Sequence, residues 1–125
     1  FCANYKTKKQ NSRRPVPIAG ALQGRLEAEL KGLPSGVAKK IKWPRDVYEP
    51  LPSATCPKGT KGRIGVFEVL STTKELERII LQNPTHEAIE TEFRRQGRIT
   101  MREDGILKAL DGRVGLEELS QIMTA

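Results

Sequence analysis

The sequence predicts a mostly α-helical protein with a short β element: a small C-terminal bundle of about four helices, preceded by a loop-rich, basic subdomain. Three observations carry this. Beyond residue 72, apolar residues recur at helical spacing in four stretches, most of them opened by Thr or Asn or closed by Gly. Upstream, Pro34, Pro44, Pro50, Pro52 and Pro57 break the chain into short pieces, because each removes a backbone donor and fixes φ. Composition then changes at Gly62. Residues 1–61 hold thirteen Lys/Arg against four Asp/Glu, a balance of +9, whereas residues 62–125 hold nine against eleven, a balance of −2. These are taken as the two domains, 1–61 and 62–125.

Residues 1–16 read as irregular, a polar stretch crowded with Lys6, Lys8, Lys9, Arg13 and Arg14. From Ile18 to Leu33 the positions Ile18, Leu22, Leu26 and Leu30 repeat every four residues, which places them near one helical face. Gly20 and Gly24 weaken that helix by about 1 kcal/mol each relative to Ala, and Gly32 and Pro34 end it. Between the prolines only short extended pieces fit, around Ile41-Lys42-Trp43 and Val47-Tyr48.

Arg63 to Leu70 alternates and reads as a short strand with apolar residues on both faces. Thr72 and Glu75 have the spacing of a capping box for the helix that follows, with Leu76, Ile79 and Ile80 as its buried stripe. Asn83-Pro84 opens the next helix, which turns Ala88, Ile89 and Phe93 inward and closes at Gly97. A second capping box, Thr100 and Glu103, starts a helix that buries Met101, Leu107 and Leu110 and ends at Gly112. The last helix begins near Leu116, with Leu119 and Ile122 or Met123 inward.

The core must be built from Leu, Ile and Val, since aromatic residues make up only 5% of the chain. A domain of this size buries roughly two-thirds of its unfolded surface. No apolar run approaches the ~20 residues that span a bilayer. The chain opens on Phe1, so it is expected to begin inside something larger, while its far end reads as natural. The basic first half suits phosphate, acidic lipid or an acidic protein face. For nucleic acid its cations are scattered, and only Tyr5, Trp43 and Tyr48 could stack on bases. Cys2 and Cys56 are too few for a secreted disulfide scaffold, and reduced thiols in a cytoplasm are the default.

No catalytic cluster is legible. The sequence has no Gly-Lys-Ser/Thr phosphate loop. Its one histidine, His86, stands early in a helix without a partner, and Glu117-Glu118 sit at a helix start, where the dipole accounts for them.

Two ordered stretches carry a family resemblance. One is Gly59-Thr60-Lys61-Gly62-Arg63-Ile64-Gly65-Val66-Phe67-Glu68-Val69-Leu70; the other runs from Thr100 to Lys108 through Asp104-Gly105, then Gly112 and Leu116-Glu117-Glu118. In order and separation, over about 70 residues, they resemble the C-terminal end of the hexameric ATPases of type II secretion and type IV pilus assembly. Thr60 stands where that family usually has Tyr, and Arg113-Val114-Gly115 replaces its Thr-rich cap.

The resemblance implies a fragment of a ring motor, with the RecA-like core, ATP and Mg upstream and this piece itself not catalytic. Its partners would be that core, neighbouring subunits of the ring and, through the parent, an inner-membrane platform protein in the bacterial cytoplasm. Gly62, Arg63, Gly65, Glu68, Asp104, Gly105, Lys108 and Glu117 would be structural motif residues. Many members carry two Cys-x-x-Cys knuckles suited to zinc. Here Cys2-Ala3-Asn4-Tyr5 and Cys56-Pro57-Lys58-Gly59 each keep only the leading cysteine. Two thiolates do not close a tetrahedral site, so a degenerate knuckle is expected, with Cys2 and Cys56 packed as neighbours or paired under oxidation. The competing reading is a stand-alone basic module that binds nucleic acid or an acidic partner through residues 1–61; an independent enzyme lacks site chemistry.

Overall fold

A computed structural model describes residues 13–54 and 56–123, and of Ile122 and Met123 only the backbone. Among them are six helices and one two-stranded antiparallel sheet. In order they are β1 (Arg13–Pro17), α1 (Gly20–Glu29), α2 (Ser35–Ala38), β2 (Asp46–Pro50), α3 (Lys74–Gln82), α4 (His86–Arg95), α5 (Met101–Leu110) and α6 (Leu116–Met123). The mostly helical class, with four helices after residue 72, agrees with the sequence.

Only part of the β element lies where the sequence places it: Val47-Tyr48, read as an extended piece, falls in β2, while the strand expected at Arg63 to Leu70 does not form. Arg63 to Leu70 is extended but pairs with no strand. Two of its backbone groups, Phe67 N and Gly65 O, are met by side chains of α5 instead of by a ladder. The sheet forms between β1, in a stretch expected to be irregular, and β2, with Pro15 opposite Tyr48 and Val16 opposite Val47. Both strands of such a ribbon are edges, which is why they tolerate Pro15, Pro17 and Pro50. The bond from Ile18 N to Arg45 O, 2.9 Å, extends the pairing. α2 is a single turn inside the proline-rich excursion, started by Pro34.

Three helix details differ from the sequence reading. Thr73, not Thr72, caps α3: its hydroxyl accepts from Leu76 N at 3.1 Å and also donates to Glu92 Oε1 at 2.9 Å. Thr85, not Asn83, caps α4 through Ala88 N. The inward stripes are narrower than expected. Leu76 and Phe93 are buried, but Ile80 and Met101 are exposed; Met101 is the first residue of α5, turned away from the face that buries Ile106, Ala109 and Leu110. The Thr100–Glu103 capping box of α5 is present in both directions.

One apolar cluster joins both halves of the chain. Leu26, Leu30 and Leu33 from the α1 region meet Val47 of β2, Ile106 and Leu110 of α5, and Leu119 of α6. Burying each such side chain contributes roughly 1.5–3 kcal/mol. Val66 packs partly against this cluster, which lays the segment 60–71 along the N-terminal end of α5.

Candidate functional site

The extended segment is held to α5 by charged side chains. Asp104 sits in the first turn of α5, where the free N–H groups favour a carboxylate. Its Oδ2 accepts from Phe67 N at 2.8 Å and pairs with Lys108 one turn later. Lys108 Nζ donates to Gly65 O at 2.8 Å. Glu68 Oε2 in turn accepts from Met101 N, 3.0 Å, at the start of α5. The segment and the helix thus bond in both directions.

Gly65 leaves room for the Phe67 side chain, which turns back over it. A Cβ there would lie 2.6 Å from Phe67 Cζ. The Phe67 ring covers that gap and lies 5.1 Å from Lys108 Nζ, a cation–π contact. The ring's other side faces solvent: Phe67 is 65% exposed, and Val69 and Met101 beside it are 56% and 44% exposed.

Further along, Gln96 performs the work of a missing strand. Ser71 N donates to Gln96 Oε1 at 3.0 Å, and Gln96 Nε2 returns to Ser71 O at 2.9 Å. Arg98 Nη2 donates to Ser71 Oγ at 2.6 Å. Glu92 is buried beneath this point. It accepts from Arg95, Gln96 and Thr73. Arg95 above all, then Gln96, draws its carboxyl down to about 2, with burial opposing. Buried Glu103 closes the α5 capping box and pairs with Arg94 at 2.9 Å. Arg94 also donates to Gly32 O at 3.1 Å, which joins α4 and α5 to the end of the α1 region.

A second junction sits at α6. Glu49 of β2 reaches the helix start, where its Oε1 accepts from Leu116 N at 3.0 Å and Glu117 N at 3.3 Å. Burial pushes the Glu49 carboxyl above its ordinary range; the two N–H bonds oppose this, and the charges of Glu117 and Glu118 add to it. Its Oε2 is buried without a hydrogen-bond partner and lies where a Cβ on Gly115 would come within 2.7 Å. On the same strand Tyr48 is covered by Arg13 of β1, whose guanidinium carbon lies 3.8 Å from the ring centroid.

The motif residues named from sequence distribute as follows. Gly65, Glu68, Asp104 and Lys108 come together in one clamp. Gly105 is buried in α5. Gly62 has φ +77° in the exposed turn before the clamp, and Arg63 is exposed. Glu117 lies apart, on the first turn of α6. Cys56 is buried in a tight turn closed by its pairing with Ser53. Cys2, and with it any pairing of the two cysteines, lies outside the described residues. Among the described residues, no three His, Cys, Asp or Glu side chains group as a metal would need. Sequence reasoning missed Glu49, Glu92 and Arg94. The Glu92–Arg95 spacing of three was a readable signal; the burial of Glu92 was not.

The clamp is built for holding. Its carboxylates and its amine are spent on backbone groups and on each other, which fixes the segment and aims Phe67 and Val69 outward. His86 is fully at the surface, with Glu90 at 3.8 Å. Among the described residues, no helix is long and apolar enough to cross a membrane.

Comparison with known proteins places these residues in context. The pattern of the family described as "Type II/IV secretion system protein" matches residues 16–121. Over 76 residues, 61% of this chain, the sequence is 36% identical to the type IV pilus assembly ATPase PilB of Pseudomonas aeruginosa. It is also 36% identical over 76 residues to type II secretion system protein E of Xanthomonas campestris pv. campestris. The match covers 13% of each of those two relatives. With the PilB of Thermus thermophilus it is 39% identical over 61 residues, 49% of this chain and 7% of that protein. No solved structure matches the chain.

Proposed function

The chain belongs to the type II/IV secretion system protein family, and from that premise we propose that it serves as the C-terminal domain of a hexameric secretion or pilus-assembly motor ATPase. Its role is structural: it docks on the motor's own RecA-like core and on a neighbouring subunit. ATP and Mg bind on that core, outside these 125 residues, and this domain takes no part in the chemical step. The assembled ring lies in the cytoplasm against the inner membrane and works on a membrane platform protein.

One observation carries the reading. Gly65, Glu68, Asp104 and Lys108, separate in sequence but part of one motif series, meet in the clamp. The clamp's product is an apolar face of Phe67, Val69 and Met101 turned to solvent. Holding such residues outward costs hydrophobic stabilisation unless something covers them. In the full-length protein, Phe67→Ser with Val69→Ser is expected to weaken ring assembly, seen as a smaller mass by light scattering, and to lower ATP hydrolysis with it. The 125-residue chain carrying the same pair should keep its melting temperature. An intact ring with normal hydrolysis would overturn the docking role.

The cysteine turn belongs to the same proposal as a degenerate knuckle, with Cys2 beside Cys56 and no zinc. Its support is the shape around Cys56. Cys56 N donates to Ser53 Oγ at 3.1 Å, and Gly59, at φ +72°, leaves no room for a Cβ, which would come 2.8 Å from Leu51 N. Metal analysis of the purified protein should find no stoichiometric zinc; one zinc per chain would defeat this part.

A further inference from the structure

The stretch from Leu30 to Arg45 carries Lys31, Lys39, Lys40, Lys42 and Arg45 and not one acidic residue. All five are exposed, and none is in an ion pair with a described residue. Between Lys42 and Arg45 in sequence stands Trp43, 44% exposed and the only tryptophan of the chain. The loop is firmly rooted. Leu30 and Leu33 are buried in the core, Val37 and Ile41 pack against it, and Arg45 O accepts from Ile18 N. Pro34 and Pro44 restrict the backbone further. Asp111 lines a shallow groove with Lys40 and Lys42 and forms no salt bridge with them; of the other nearby carboxylates, Glu103 at Gly32 is paired with Arg94, and Asp46 follows Arg45 in sequence.

We propose that the loop 31–45 is a docking surface for an anionic phospholipid membrane, with Trp43 seated at the headgroup level and the lysines around it. Charge complementarity and side-chain type select this occupant. Four of the five cations are Lys, mobile point charges that suit a fluid layer of headgroups; paired recognition of fixed phosphates or base edges favours the Arg fork. A single aromatic offers no run of platforms for successive bases, whereas a lone Trp among cations is the arrangement that sits at a membrane interface. Because the loop is already folded, little ordering is lost on binding. The inference rests on no part of the motor reading.

Trp43 reports on its own site. With the full chain at low salt, vesicles of phosphatidylglycerol and phosphatidylcholine should shift its emission to the blue, and pure phosphatidylcholine vesicles should not. Raising the salt should reverse the shift. Each lysine is worth about a fivefold change in partitioning, so Lys39→Gln, Lys40→Gln and Lys42→Gln together should weaken it about a hundredfold. A control with Lys58→Gln, Lys61→Gln and Lys74→Gln should weaken it far less. No shift with phosphatidylglycerol would overturn the proposal, as would an equal loss in the control, which would mean net charge alone. Displacement from vesicles by an oligonucleotide that quenches Trp43 would make nucleic acid the ligand and overturn it too.

Discussion

Replacing Asp104 by Ala removes the centre of the clamp. Asp104 Oδ2 accepts from Phe67 N at 2.8 Å and holds Lys108 beneath Gly65. A hydrogen bond to a charged group contributes ~1.5–3 kcal/mol net. Asp104 and Lys108 side chains keep only 17% of their exposure, but the Phe67 amide edge is open to water, so solvent screening brings the contribution below most of that range. About 1–2 kcal/mol less resistance to local opening corresponds to about five- to thirtyfold faster amide exchange, at 1.36 kcal/mol per tenfold. Hydrogen–deuterium exchange read at Phe67 and its neighbours is the assay. Asp104→Asn keeps an acceptor without the charge and should fall between. Amides of the core, such as Leu110, should be little affected. If Phe67 exchanges at the same rate in both variants, the clamp does not hold the segment. If core and segment accelerate equally, Asp104 serves the α5 helix start and the reasoning fails as well.

Three more perturbations follow from the same geometry. Glu92, with its folded carboxyl lowered to about 2 from an ordinary 4.5, contributes stability that is full above the ordinary value and lost as pH falls toward 2; Glu92→Gln should flatten the acid-unfolding curve across that window, as followed by circular dichroism. Glu49 is shifted the other way, so its folded state gains a proton more readily and gains stability as pH falls through the raised value to 4.5; melting temperatures at pH 7 and pH 4.5 should show that gain in the parent chain relative to Glu49→Gln. Gly115→Ala would push a Cβ to 2.7 Å from Glu49 Oε2 and 3.0 Å from Pro50 Cδ, dislodging the α6 cap and crowding the strand; urea unfolding should register a loss of about 2–4 kcal/mol.

What could be read from the sequence was mostly what is local. The Thr100–Glu103 box needs only residues three apart, and both of its bonds form. Where two cap residues stood side by side, local pattern could not choose. Thr73 is selected over Thr72 partly because its hydroxyl also meets Glu92, nineteen positions away. Arg63 to Leu70 has the alternation of a strand because it lies flat on a surface. Its backbone partners are the carboxylate of Asp104 and the amine of Lys108, which leave no period-two mark in the partner sequence. Of the β1–β2 ribbon, Val47-Tyr48 was legible as an extended piece, but β1 escaped because Pro15 and Pro17 interrupt it and its pairing spans the α1 region. At the clamp, the Asp104–Lys108 pair was legible from its spacing of four, while the bond from Phe67 to Asp104 crosses 37 positions and has no sequence signature. Glu49 as the cap of α6 was hidden for the same reason, since cap and helix are 67 positions apart.

The claim that this is one domain of a nucleotide-driven ring is tested most directly by sequencing the gene upstream of the codon for Phe1. The account predicts an open frame there that encodes a Gly-x-x-x-x-Gly-Lys-Ser/Thr loop within roughly two hundred residues. A start codon close to Phe1 with no such loop before it would contradict it.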